Sequence, residues 1–335
     1  MMSQPAEAVR RSASIVATGA YLPSRVMTNA DLEKIIDTSD EWILTRTGIR
    51  ERRIADEGEL TSDMGARAAE QALQQSGIDP KSIDLIIVAT CTPDTVFPST
   101  ACHIQHKIGA TRAAAFDLQA ACSGFLYALV TAEQFVAAGA YQTVLVIGAE
   151  KLSSIINWQD RNTCVLFGDG AGAVILQHRP GARGLLAYDL GADGAQTEIL
   201  SLPAGGCRMP ITHQVLDERL HFLQMSGKEV YRYAVSAMNR SAENCLEKAG
   251  CKPEDLRWIV PHQANFRIIE AVAQRLNVSM EHFIINLDRY GNTSSACLPI
   301  ALHETSMAGN LKQGDLILMV AFGGGLTWAS TVLEW

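Results

Sequence analysis

The sequence predicts an α/β protein made of two halves built on one plan, and three observations carry that reading. The first is an internal repeat. "AAEQALQQSGIDPKSIDLIIVAT" (68–90) lies over "SAENCLEKAGCKPEDLRWIVPHQ" (241–263) without a gap, setting Gly77 on Gly250, Pro80 on Pro253 and Ile86 on Ile259. The second is that the halves end alike: "VLFGDGAGAVIL" (165–176) resembles "MVAFGGGLTWASTVL" (319–333), each a glycine-rich turn inside an apolar strand pair. The third is composition, since 47% hydrophobic and only 19% charged residues, with 26 glycines in 335, suit buried strands and tight turns better than a helical bundle.

Each element follows from local chemistry. The N-terminal "MMSQPAEAVRRSASIVATGAYLP" joins an arginine pair to a short run that holds Ser, Thr and Gly and leads straight into domain sequence, so it does not read as a secretory signal. Ser39 is placed to cap a short helix carrying Trp42, and Thr61 or Ser62 to cap the helix that stops at Gly77. In both repeat copies a helix ends at glycine, a proline turn follows, and a short apolar strand comes next. "AFDLQAACSGF" reads as a strand ending near Leu118, a sharp connection and a helix starting about Cys122.

The "HRPGARG" turn (178–184) divides the chain into halves 1–178 and 179–335, and the irregular stretch 192–227 reads as an excursion covering an opening. The second half then repeats the plan, with "GNTSSACLPIALHETSMAGNLKQGDLILMVA" answering "ACSGFLYALVTAEQFVAAGAYQTVLVIGA".

Several function classes recede. Eight cysteines lie scattered without a paired metal spacing and no HExxH occurs, which indicates a reduced compartment with neither a disulfide scaffold nor a zinc site. A formal net charge of −8 argues against a general nucleic-acid binder. The richest apolar window, "LILMVAF", is strand-sized, so no membrane insertion is expected.

The chemistry gathers around Cys122. A helix start aims amides and a positive dipole end at the sulfur, which is expected to lower its pKa from about 8.5. Ala120, Ala121 and Gly124 leave room for a chain to approach it. "IVPHQAN" puts His262 and Asn265 just beyond a strand, at the carboxyl edge where open α/β sheets build sites, and Asn292 precedes another small-residue helix start. Each has a bland reading: a small core cysteine, a capping histidine, a capping asparagine. Cys, His and Asn also form the hydrolytic group of papain-like proteases. In an apolar setting, however, His and Asn suit donation to a thioester carbonyl and to the enolate left by decarboxylation.

With "SDEWILTRTGIRERR", "VFPSTACHIQHKIG", "DLQAACSGF", "LFGDGAGAVIL", "PHQANFRI", "RYGNTSSA" and "AFGGGLTW" in order, nearly the whole chain resembles the β-ketoacyl-acyl carrier protein synthase III family. The resemblance implies a thiolase-like fold with mixed central sheets in a layered arrangement. It implies Cys122 as acyl acceptor, His262 and Asn292 as the decarboxylation and condensation pair, and the backbone of Cys122 and Gly324 as oxyanion hole. Trp42 and Arg161 match an adenine sandwich for coenzyme A, with Arg46 and Thr47 nearby. Phe97 matches a pocket floor supplied across a homodimer, and Arg232, Arg267 and Arg275 match a docking surface for acyl carrier protein. The implied enzyme is a cytoplasmic acyltransferase with no metal or redox cofactor, taking a short acyl group from acyl-coenzyme A. A secondary-metabolic paralogue with another primer and a non-catalytic acyl-binding scaffold are the alternatives. A thiolase would place a second cysteine near "GGG", where residues 322–325 have none.

Overall fold

The structure, a computed structural model, describes residues 12–335; Arg10 and Arg11 of the N-terminal arginine pair lie outside the described residues. Two mixed sheets organise it. The first contains β1 (Ala13–Tyr21), β2 (Leu85–Ala89), β3 (Ala114–Leu118), β4 (Thr143–Glu150) and β5 (Gly170–His178), in the spatial order β1-β5-β4-β2-β3. The second contains β6 (Leu185–Ala192), β7 (Trp258–Pro261), β8 (Leu316–Gly323) and β9 (Thr327–Glu334), in the order β7-β8-β9-β6. Read from the other edge the second sheet is β6-β9-β8-β7, which repeats β1-β5-β4-β2 with the same two antiparallel pairings followed by a parallel one. The counterpart of β3 shrinks to a single parallel bridge between Ile259 and Phe283.

The helices supply the layers. α1 (Asp40–Thr47) sits at the edge of the site, α2 (Thr61–Ser76) covers the outer face of the first sheet, and α3 (Gly124–Ala137) lies between the sheets. α4 (Gly227–Ala249) and α5 (Phe266–Leu276) cover the outer face of the second sheet, and α6 (Cys297–Met307) joins α3 in the middle layer. Strand β2 shows why five layers form: Leu85, Ile87 and Ala89 pack on the central helices, while Ile86 and Val88 pack on the outer helix. A strand covered on both faces needs an unbroken apolar run, which is how "LIIVA" reads.

The repeat is realised at its helix ends. α2 stops at Gly77 with φ 69° and α4 at Gly250 with φ 67°, left-handed positions that glycine takes without a Cβ penalty. Two local expectations need correction. Leu60, not Thr61 or Ser62, is the N-cap of α2; the Thr61 hydroxyl instead donates across to Thr92 O at 2.6 Å, and the Asp63 carboxylate accepts the Leu60 N–H at 2.9 Å. In the first half, Val165–Phe167 is no strand facing β5. β5 pairs with β1 and β4, and the chain between β4 and β5 leaves the sheet, where Val165, Leu166 and Phe167 line a cavity. The excursion after β6 holds short elements only, and its Leu200 and Met225 line the same cavity.

Candidate active site

One cavity of about 800 Å³ collects residues separated by up to 250 positions: Trp42, Arg46 and Thr47 of α1, Cys122, His262, Arg267 of α5, and Asn292. Cys122 sits in a single 3-10 turn, Ala121–Ser123, between β3 and α3, and Ala121 holds φ 45° to make the corner. Its backbone is pressed against the glycine run after β8. A Cβ on Gly323 would meet Cys122 N at 2.6 Å, so only glycine allows this approach. Gly324, the residue expected to share an oxyanion hole, lies one step further on, against Leu200 O and the Ala121 side chain.

The expected activation of Cys122 by its helix start is not what the structure supports. Burial pushes the thiol up to about 12; the neighbouring Ser294 hydroxyl opposes the rise, and the Glu150 carboxyl adds to it. The sulfur is stripped of water, and the cost of desolvating a thiolate is the largest influence on it. Cys122 is a neutral thiol at neutral pH.

His262 is neutral for the converse reason, since burial alone lowers its pKa to about 4. Its backbone N–H donates to Val320 O at 2.8 Å just past β7, and its Nδ1 lies 3.0 Å from Cys297 Sγ, the first residue of α6. It caps nothing. The neighbouring Gln263, fully buried, binds Pro261 O and Ile284 O through Nε2 and takes the Asn286 and Leu287 N–H groups on Oε1, which fixes the loop under His262.

Asn292 is gripped on both sides of its peptide: its N–H donates to Leu166 O at 2.8 Å and its carbonyl accepts from Gly168 N at 3.1 Å. Its Oδ1 accepts the Ser294 N–H at 2.8 Å, so the amide NH2 is the end left for other partners. Below lies Glu150 at the end of β4. It receives Thr92 Oγ1 at 2.8 Å, Cys91 N at 3.1 Å, Ser294 Oγ at 3.1 Å and Ser295 Oγ at 2.9 Å, and burial raises its pKa against those bonds.

At the mouth, Ser39 caps α1 as expected, accepting from Trp42 N at 3.1 Å. The Trp42 ring carries two guanidinium groups, Arg46 at 4.8 Å and Arg161 at 4.9 Å from its centroid. The slot expected between Trp42 and Arg161 is thus closed, because cation–π attraction and a 3.0 Å bond from Arg161 to Asp37 O hold the guanidinium on the ring. Thr47 lines the cavity, but its hydroxyl already bonds Ile43 O and Ile49 N. Arg267 lines the cavity and donates to Thr45 O, and Asn265 caps α5 while donating to Arg46 O.

Arg232 and Arg275 are exposed and do not line the cavity; Arg275 lies eight residues along α5 from Arg267, about 12 Å by helical rise. Phe97 is also outside it, 83% exposed beside Val96 at 89%. Among the described residues no group of three His, Cys, Asp or Glu side chains could hold a metal ion, and no helix is long and apolar enough to cross a membrane.

Comparison with known proteins places these features in context. Residues 116–194 match the family described as 3-oxoacyl-[acyl-carrier-protein] synthase III, and residues 246–335 match its C-terminal family. The β-ketoacyl-[acyl-carrier-protein] synthase III of Caldanaerobacter subterraneus is 54% identical over 97% of this chain and 98% of its own. The crystal structure of 3-oxoacyl-[acyl-carrier-protein] synthase III from Aquifex aeolicus superposes with a TM-score of 0.90 at 49% identity, covering 96% of this chain and all of that one. The priming β-ketosynthase of the R1128 polyketide pathway matches with the same TM-score at 38% identity, covering 97% of this chain and 96% of its own.

Proposed function

The chain belongs to the β-ketoacyl-[acyl-carrier-protein] synthase III family, a group of thiolase-like condensing enzymes, and from that premise we propose how its cavity works. The enzyme is an acyltransferase that starts fatty-acid synthesis. A short acyl group, acetyl by preference, passes from acyl-coenzyme A to Cys122. The exchange needs no net proton, since the hydrogen leaving Cys122 ends on the coenzyme A sulfur. Malonyl-acyl carrier protein then loses CO2, and its enolate carbon attacks the acyl carbonyl on Cys122. The product is β-ketoacyl-acyl carrier protein, and the released Cys122 thiolate takes a proton back.

The observation that carries this reading is the meeting of Cys122, neutral His262 and the Asn292 amide in one cavity. A neutral imidazole N–H and an amide N–H can both donate to the malonyl thioester oxygen, and their work grows as negative charge develops there. The Cys122 and Gly324 amides serve the acyl-transfer oxyanion. Adenine stacks on Trp42 by displacing Arg161 from the ring, with Arg46 and the Thr47 backbone beside it. Arg232, Arg267 and Arg275 receive the acidic carrier. In this reading residues 1–178 bring the nucleophile and residues 179–335 bring His262 and Asn292.

The working unit is a homodimer. Phe97 and Val96 are too exposed for a lone subunit, and β3 is a free sheet edge with Phe116 36% exposed; a second copy covering them sets Phe97 at its partner's acyl pocket.

The test is intact-protein mass after mixing with a series of acyl-coenzyme A donors, on protein whose dimeric state is first confirmed by sedimentation. A gain of one acyl mass, largest for acetyl and absent in Cys122→Ala, is expected. His262→Ala and Asn292→Ala should keep acylation and lose about a hundredfold in CO2 release from malonyl carrier protein. An adduct that persists in Cys122→Ala overturns the assignment, and a preference for long or branched donors points to the paralogue reading.

A further inference from the structure

Cys297 is a buried thiol that the reaction described above leaves idle, yet it touches the ring of His262. Its Sγ lies 3.0 Å from His262 Nδ1 and accepts the Gln263 backbone N–H at 3.4 Å. Burial keeps it protonated, because its pKa is raised first of all by desolvation. His262 is likewise neutral, so the imidazole holds one proton to share between two nitrogens. We infer that Cys297 is a positioning residue: its S–H donates to His262 Nδ1 and so holds the ring proton on Nε2, the nitrogen left for the cavity.

The alternative arrangement, Nδ1–H donating to sulfur, fits the geometry less well. Sulfur is a weak acceptor and already takes the Gln263 N–H. Its own proton would then have no acceptor, since His262 Nδ1 is the only acceptor the S–H reaches among the described residues. With S–H donating, both hydrogens are used and Nδ1 gains the donor it lacks as a bare lone pair. Asn292 is prepared in the same manner, its Oδ1 held by the Ser294 N–H so that NH2 faces away from that bond. Each member of the pair is thereby turned, by a partner on its far side, into an N–H donor. A thioester oxygen that becomes an enolate oxygen needs two donors, and the wrong histidine tautomer would present a lone pair to it.

The inference rests on the reading of His262 as a donor to the malonyl thioester, and its test separates the two. In protein labelled with 15N-histidine, with the His262 signals assigned by their loss in His262→Ala, Nδ1 is expected to be unprotonated and Nε2 protonated at neutral pH. Cys297→Ala should shift those signals toward the other tautomer and lower CO2 release about tenfold, while acyl transfer to Cys122 stays within twofold. Cys297→Ser, which keeps a donor, should restore both signals and rate.

A protonated Nδ1 in the wild type overturns the inference whatever the variants do, as does unchanged CO2 release in a folded Cys297→Ala. Equal failure of the serine and alanine variants also overturns it, because mere packing would then account for the loss. If His262→Ala releases CO2 at the normal rate, the role of His262 falls, and the tautomer signals still decide what Cys297 does.

Discussion

The turn that carries Cys122 and the turn that carries Ser295 are the same piece of backbone used twice. Ala121 at φ 45° and Ser294 at φ 50° begin them, each opens a 3-10 turn, and each runs into a helix of the middle layer, α3 or α6. Each also leans on the other half's sheet, the Cys122 turn on β8 and the Ser295 turn on β4. The difference lies at the strand end. Ile86 and Ile259 are equivalent and pair with Leu145 and Leu318, so five residues further along Glu150 is the counterpart of Gly323. Glycine beside Cys122 leaves the sulfur facing a cavity, whereas a carboxyl beside Ser295 gathers hydroxyls and fills the space. Duplication supplied two candidate sites, and one residue at a strand end sealed the second.

The comparison can be broken by moving the thiol. Combining Cys122→Ala with Ser295→Cys should give no acyl adduct at all, because the Ser295 side chain is buried 2.9 Å from both Ala89 O and Glu150 Oε1. Mass measurement after acyl-coenzyme A treatment decides it, and an adduct on the introduced thiol would mean that the second turn is open.

The seal itself can be removed. Glu150→Ala strands the Thr92 and Ser294 hydroxyls and the Cys91 N–H together and leaves the Ser295 hydroxyl only Ala89 O, so a loss of roughly 3–5 kcal/mol in urea unfolding is expected. Glu150→Gln, which keeps an acceptor oxygen, should lose less than half of that. Equal losses would show that charge, and not hydrogen-bond capacity, closes the second turn.

What the sequence showed of all this follows a physical line. The repeat was readable because its markers, the Gly77 and Gly250 helix stops and the Pro80 and Pro253 turns, act within a few residues of themselves. The grouping of Cys122, His262 and Asn292 was readable from two small-residue helix starts, one strand end and the family motifs that hold them, since the residues alone left a bland reading open for each. The contact between His262 and Cys297 was not, since it spans 35 residues and "SSACLP" reads only as a helix start. Nothing in the sequence singles out Glu150, and only the register of two sheets sets it beneath a turn of the other half. The direction of the Cys122 shift was misjudged for a related reason. A helix start is visible locally, but the burial that raises the thiol belongs to the assembled fold.

Burial also gives the two halves opposite pH limits, which sharpens the comparison at its smallest scale. Cys122 has its pKa raised to about 12, so its contribution to stability is full below the unfolded value near 9 and is lost as pH climbs toward 12. His262 has its pKa lowered to about 4 from 6.5. Below pH 6.5 the unfolded chain binds a proton there that the folded chain refuses, so stability falls as pH drops through the interval from 6.5 to about 4. Between pH 7 and pH 5.5 the difference amounts to about 1 kcal/mol. Urea unfolding of wild type and His262→Gln at the two pH values isolates it, because every other titrating group is shared. The wild type should lose about 1 kcal/mol more than the variant on acidification. Parallel losses would mean that His262 takes up its proton in the folded state as readily as in the unfolded one, and the lowering of its pKa by burial would have to be given up.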